Sequence, residues 1–210
     1  MTESKDNKTG SGLPCDPQDV VLQLAAPILG LYPAASGDVL VAHLSSQQFS
    51  ILDCKSQQSS VSVQLPANSL LAAGGNRILS YSPAENQFTS YDVRSGKQIA
   101  TQSAKAFQVQ LSSVTMGAAN GDLALVQWSS ADLVHTALLS VADFKIVAQF
   151  PALPAVSDLS FDALKASPLL SNVVHTRLSK GAGRVTAYRW RESSASVASA
   201  ELKQGTTVAP

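Results

Sequence analysis

Residues 76–99 read NRILSYSPAENQFTSYDVRSGKQI, and this stretch gives the clearest indication of the architecture. Together with the two residues that follow it, this stretch holds three short runs typical of strands, at 76–82, 88–92 and 98–101. Turn-forming residues separate them, with Pro83 and Asn86 in the first gap and Asp92 and Gly96 in the second. Strands this short, with turn residues every ~8–12 positions, predict an all-β sandwich, barrel or propeller.

The pattern of 76–99 recurs along the chain. Each copy begins with Gly and then Asp or Asn, which are turn residues, and continues into a strand. The three openings are Gly37-Asp38, Gly75-Asn76 and Gly121-Asp122. A weaker fourth copy runs from Val173 to Leu202. The glycines are spaced by about 38 and about 46 residues, close to the ~40–50 residues of propeller repeats.

The segment 75–102 resembles one blade of a β-propeller, similar to those of WD-repeat and pyrroloquinoline-quinone-type proteins. The most specific element is a hydrophobic residue, Asp92, two further residues and then Ser95-Gly96-Lys97. The resemblance implies that Asp92 caps the turn, that Gly96 takes a positive φ and that Lys97 starts the last strand. The Trp-Asp dipeptide is absent, and Ala100 stands near the position of the docking Trp of quinone-type blades. We therefore predict no cofactor.

The sequence predicts an all-β, propeller-like array of about four antiparallel blades, with a β-sandwich as the alternative. Four blades of about 41 residues would just fill 37–202, so the array is either a small ring or part of a larger propeller. We expect a disordered leader at 1–19, a single domain at 20–203 and a disordered tail at 204–210. Residues Ser157 to Ala166 also permit a short helix, capped by Ser157 or Asp158.

Composition narrows the classes of partner. The 15 basic residues cancel the 15 acidic ones, and charged residues make up 14% of the chain, against roughly 25% in ordinary soluble domains. Without a basic excess we predict no nucleic-acid partner. The apolar stretch from Val20 to Tyr32 is shorter than the ~20 residues of a membrane span, so we predict no membrane partner. The acidic leader predicts a cytoplasmic protein, with secretion as the alternative.

His43, Tyr81 and Gln127 occupy one position in the three aligned copies. On alternating strands they would share a face with the apolar residues two positions earlier. That arrangement predicts a stack of contacts between blades. The alternative is a polar ring lining a shared pocket.

Arg189 and Arg191 belong to the densest basic cluster of the chain. On a strand they would point to one side, and Tyr188 and Trp190 to the other. This predicts a solvated face over a packed one, with an anionic partner as the alternative reading.

The sequence contains no recognisable catalytic, cofactor or metal motif. The histidines are scattered singly, and the best candidate carboxylates stand at turn positions. We therefore predict a non-enzymatic protein-interaction or scaffold module with a protein partner. The alternatives are an enzyme or ligand-binding propeller with an axial site, and a partial propeller that an oligomer or larger assembly completes.

Overall fold

The computed structural model describes residues 23–56, 58–107, 110–155, 159–179, 182–191 and 194–203, and it is nearly all β. The expected leader at 1–19 and tail at 204–210 lie outside these residues. The first sheet contains β1 (Ile28–Ala34), β2 (Val39–Leu44), β3 (Gln48–Asp53) and β4 (Gln58–Gln64). The second contains β5 (Leu70–Gly74), β6 (Arg77–Ser82), β7 (Gln87–Asp92) and β8 (Gln98–Ser103).

Two further sheets follow in the chain. The third contains β9 (Leu111–Thr115), β10 (Leu123–Ser130), β11 (Leu133–Ser140) and β12 (Ile146–Gln149), with the two-residue β13 (Leu153–Pro154) added on β11. The fourth contains β14 (Leu159–Ala166), β15 (Asn172–Ser179), β16 (Ala182–Arg191) and β17 (Ser194–Lys203). Two short 3-10 turns, Ala35–Gly37 and Lys105–Phe107, complete the described elements.

Each sheet is an antiparallel meander whose strands pair in chain order, so each is one blade. The first strand of each blade is innermost, and contacts join β1 to β5, β5 to β9 and β9 to β14. The four sheets are thus arranged around an axis as a four-blade β-propeller. The predicted propeller is confirmed, and the sandwich alternative is wrong because four separate sheets radiate from one axis instead of two packing face to face.

The blades are held together by apolar clusters between neighbouring sheets. Blades 1 and 2 share a cluster that includes Phe49, Ile51, Ile78 and Tyr91. Blades 2 and 3 share the largest one, where Phe88 lies 5.4–5.8 Å, centroid to centroid, from three other aromatic rings. A third cluster joins blades 3 and 4 and contains Leu125, Phe150, Leu170, Val173 and Tyr188. Large buried side chains with close ring contacts supply most of the stabilisation of such interfaces.

The helix expected at Ser157 to Ala166 is wrong. Residues 159–166 form β14, which pairs along its length with β15. The predicted caps Ser157 and Asp158 lie outside the described residues. A short apolar run fits either period, and here the neighbouring strand supplies the backbone partners that select a strand.

The turn between β7 and β8 has the geometry that the blade resemblance implied. Asp92 Oδ1 accepts hydrogen bonds from the backbone N–H groups of Arg94 (3.1 Å) and Ser95 (2.8 Å), and Gly96 has a φ of 65°. Lys97 immediately precedes β8. Asp53 repeats the motif at the end of β3, with N–H donors from Lys55 and Ser56. These two carboxylates are therefore occupied in turn formation.

The Asp92 turn predicts a pH-dependent contribution to stability. Hydrogen bonds from the Ser95 side chain and backbone lower the pKa of Asp92. Because the folded pKa is depressed, the stabilisation is present above the ordinary carboxyl pKa and is lost as pH falls through the folded value. We expect Asp92→Asn to reduce the free energy of unfolding by about 1 kcal/mol at pH 7 and by less at pH 3. Urea titrations at both pH values measure this, with the exposed Glu85→Gln as control; a loss that does not depend on pH contradicts the prediction.

The outward faces of blades 1 and 4 differ from the three packed interfaces. On blade 1, Ala42, Leu44 and Leu52 form a small cluster that is covered by Leu24 and Ala26. Ile28 pairs with Leu44 and is 48% exposed, and Leu31 pairs with Ala42 and is 52% exposed. Among the residues that the structure describes, no apolar cluster joins blade 4 to blade 1. We call these two faces together the seam.

Blade 4 contributes Val174 to the seam and exposes Leu169 in the loop before β15. Val173 and His175 of β15 face blade 3, so the intervening Val174 faces away from it and is 40% exposed. Leu169, in the loop before β15, is 66% exposed.

No helix within the described ranges is long and apolar enough to cross a membrane.

Candidate functional site

A cavity of about 460 Å³ lies where the four innermost strands meet. Each blade contributes residues from β1, β5, β9 or β14, or from the loop that follows. The lining residues are Leu31, Tyr32, Pro33, Ala73, Ser113, Val114, Thr115, Met116, Ala118, Leu164, Lys165, Ala166 and Pro168. We call this space the axial cavity.

The loops that follow the innermost strands border one end of the axial cavity. These loops, at 35–37, 74–76, 117–121 and 167–170, form what we call the axial belt. The N–H of Ala35 donates to Gly75 O at 2.7 Å, and the N–H of Gly75 donates to Ala118 O at 3.0 Å. The N–H of Ala119 then donates to Pro168 O at 2.8 Å. The belt thus links all four blades in order by backbone hydrogen bonds.

The axial belt requires glycine where its loops touch. Gly75 has a φ of +48°, and a Cβ built on it would lie 2.3 Å from the backbone N of Gly121. A Cβ on Gly117 would lie 2.4 Å from Pro168 O. Distances below 3.0 Å to backbone atoms leave no room for a side chain, so close approach as well as turn geometry selects glycine here.

The axial cavity combines apolar walls with a few polar side chains. Tyr32, Ser113 and Thr115 bring hydroxyl groups and Lys165 brings an ammonium group. Burial raises the pKa of Tyr32, so its phenol keeps the proton and remains a hydrogen-bond donor at neutral pH. Ser113 Oγ donates to Gln127 Oε1 at 3.0 Å, so this hydroxyl is already engaged. Such a cavity resembles small-ligand sites, which are mostly apolar with a few placed polar groups.

Gln127 lies at the centre of a buried polar network between blades 3 and 4. Its amide nitrogen lies 3.0 Å from Thr136 Oγ1, 3.2 Å from Tyr188 Oη and 3.3 Å from His175 Nδ1. Arg177 Nε donates to the other ring nitrogen of His175 at 3.1 Å. Gln127 is 1% exposed, so these contacts replace its hydration almost completely.

Tyr81 and His43 lie in other parts of the molecule. Tyr81 is fully buried in the cluster between blades 2 and 3, and its hydroxyl donates to Asn86 Oδ1 at 3.0 Å. Desolvation raises the pKa of Tyr81. His43 borders a separate recess of about 340 Å³ with Ser69, and burial lowers its pKa. The structure therefore places His43, Tyr81 and Gln127 at different sites, and neither of the two cavities among the described residues contains more than one of them.

Arg189 is exposed on β16. Because successive side chains of a strand point to opposite faces, Arg189 points away from blade 3. The backbone of Arg191 ends the same strand, and its side chain lies outside the described residues. An anionic partner for this pair stays a prediction. Within the described parts of the chain, no group of three or more His, Cys, Asp or Glu residues is placed to hold a metal ion.

Sequence reasoning missed the residues that line the axial cavity. β1, β5 and β9 read ILGLYPA, LLAAG and LSSVT, and the repeat had been placed on the three strands outside them. Polar and apolar residues alternate poorly along these runs because other parts of the protein pack against both faces of an innermost strand. Apolar runs before the Gly37-Asp38 and Gly75-Asn76 turns were the available signal for β1 and β5, whereas LSSVT contains three hydroxyl residues and carried no such signal.

Comparison with solved structures supports the same architecture. The WD40 domain of coronin from Toxoplasma gondii superposes with a TM-score of 0.57 at 10% identity, covering 80% of this chain and 44% of that one. The Swd1 β-propeller domain from Myceliophteria thermophila gives 0.52 at 13% identity, over 78% of this chain and 53% of that one. Hydrazine synthase from Kuenenia stuttgartiensis gives 0.50 at 9% identity, over 90% and 70%.

Identities this low show the fold alone. No known family and no curated protein matches the sequence. The chain spans about half the length of the first two propeller domains. The likeness to WD-repeat blades first seen at 75–102 is thus confirmed as a likeness of fold.

Proposed function

We propose that this β-propeller is a non-enzymatic protein-interaction module whose partner packs against the seam. The observation that supports it is the exposure of apolar side chains there: Ile28 and Leu31 on blade 1, and Val174 on blade 4. Exposed apolar side chains that share a face mark interaction sites in folded proteins. WD40 and other propeller folds offer rigid sheets with variable loops, which suits a scaffold.

A second copy of the chain is the partner that the dimensions favour. Since the chain spans 44% and 53% of two propeller domains, two copies joined blade 1 to blade 4 would supply eight blades. Eight is within the ~4–8 blades of closed propellers. The formal net charge of zero means that two copies do not repel each other.

The test of the seam is its self-association. We expect light scattering to give twice the 21.9 kDa of one chain, and the double variant Ile28→Ser, Val174→Ser to give one chain. The matched control is Ile99→Ser, Val147→Ser, which removes equally exposed apolar residues from the outer strands β8 and β12. Wild-type protein that stays a single chain at all concentrations, or a control that dissociates equally, would count against the seam.

A ligand-binding propeller with an axial site is the second candidate function, and the axial cavity is the observation that favours it. The described lining holds hydroxyl groups and an ammonium group, without carboxylate or imidazole side chains among them. Apolar walls with a few polar groups are typical of sites that bind small ligands. The cytoplasmic location stays a prediction from the sequence.

A further inference from the structure

The axial cavity has one unbalanced charge. Lys165 is the single charged side chain among the described residues that line it. Lys165 takes part in none of the ion pairs found between described residues elsewhere in the molecule. Lys165 pairs across the sheet with Val174, so it points away from blade 3 and from the polar network around Gln127. The Lys165 side chain is exposed, and an ammonium group beside apolar walls, with no carboxylate among the described lining residues, favours an anionic ligand.

Two hydroxyl groups line the same space. Tyr32 is half-buried, and its raised pKa keeps the phenol protonated. Thr115 ends β9 and contributes a second hydroxyl donor, while Ser113 is committed to Gln127. A carboxylate has two oxygens and accepts hydrogen bonds only, so one ammonium and two hydroxyl donors match its requirements.

The remaining walls are apolar and come from every blade. Leu31, Ala73, Met116 and Leu164 represent blades 1 to 4 in turn. A volume of about 460 Å³ is within the ~300–1,000 Å³ of small-ligand pockets. The cavity therefore suits an apolar body with one anionic group.

We propose that the axial cavity binds a carboxylate carried on a short apolar chain, with Lys165 pairing with the carboxylate and the hydroxyls of Tyr32 and Thr115 donating to it. The chemistry is shared by a free medium-chain carboxylic acid and by the C-terminus of a peptide that ends in apolar residues. The cavity shares Leu31 with the seam, and Lys165 pairs with the seam residue Val174. Self-association tests the seam and ligand binding tests the cavity, so the failure of one proposal is distinguishable from the failure of the other.

Calorimetric titration of the full chain with two probes tests the site. The probes are octanoate and an acetylated Ala-Val-Leu peptide with a free C-terminus; octanol and the C-terminal amide of the peptide are their uncharged counterparts. We expect at least one carboxylate to bind about tenfold or more tightly than its counterpart. Tighter octanoate binding identifies a free acid as the ligand type, and tighter peptide binding identifies a chain terminus.

Variants at Lys165 connect the binding to this cavity. Lys165→Met is expected to weaken the carboxylate by about tenfold or more, and Lys165→Arg to retain most of the affinity. Lys105→Met, which removes an exposed lysine from a 3-10 turn, is the matched control and is expected to bind as wild type does. The proposal is overturned if neither carboxylate binds, if the uncharged counterparts bind equally, or if Lys165→Met, shown by circular dichroism to be folded, binds as wild type does.

Discussion

Gly75→Ala is expected to lower the free energy of unfolding by about 3–5 kcal/mol, a large share of the ~5–15 kcal/mol available to a domain. The φ of +48° alone costs an alanine about 1 kcal/mol. The larger part comes from the new Cβ, which would lie 2.3 Å from Gly121 N and 2.8 Å from Gly121 Cα. Relief requires moving the 117–121 loop, and with it the hydrogen bond from Gly75 N–H to Ala118 O.

Gly37→Ala is the matched control for this experiment. Gly37 also has a positive φ, +98°, but a Cβ built there meets no atom within 4 Å. We expect it to cost about 1–2 kcal/mol, from backbone strain alone. Urea unfolding followed by circular dichroism measures both variants. Equal losses would mean that the close approach at Gly75 contributes nothing.

Gln127→Leu is expected to destabilise the protein by about 2–4 kcal/mol. The amide contacts Ser113, Thr136, Tyr188 and His175, and the substitution leaves these buried groups without it while keeping a similar volume. Leaving a buried polar group unsatisfied costs about 1–3 kcal/mol, and several partners share this loss. The effect falls on the interface between blades 3 and 4.

Tyr81→Phe provides the comparison at another blade interface. It removes a hydroxyl that donates to Asn86 and accepts from the backbone of Leu111 in an otherwise apolar site, so we expect a loss of about 1 kcal/mol. The double variant Gln127→Leu, His175→Leu is expected to cost less than the sum of its single changes, because it removes both members of the pair. Additive losses, or a Gln127→Leu effect no larger than that of Tyr81→Phe, would refute a central role for Gln127.

The three outer strands of each blade could be predicted because their signals are local. The Gly-Asp and Gly-Asn turns and the Asp92–Gly96 turn are each encoded in a few neighbouring residues. The innermost strands could not be predicted, because runs such as LLAAG form strands through the contacts that they make on both sides. The same limit explains why β14 was expected to be a helix. Its pairing with β15, which is distant from local sequence signals, makes it a strand.

The candidate site was predictable only in part. Alignment of the repeats singled out Gln127, but its partners His175 and Tyr188 lie 48 and 61 residues away in the chain. Lys165 stood in a segment that also fitted a helix, so nothing local marked it as lining a cavity. Contacts across blades depend on how the sheets are set around the axis, which the repeat length alone does not fix.

The axial belt has a consequence for how the propeller unfolds. Loop amides are ordinarily the first to exchange with solvent hydrogen, but those of Ala35, Gly75 and Ala119 are donated across blade boundaries. A single blade cannot open without breaking a bond that also holds its neighbour. We therefore expect these loop amides to exchange as slowly as the strands, and the four blades to unfold in one cooperative step, unlike open repeat arrays that lose their units one at a time.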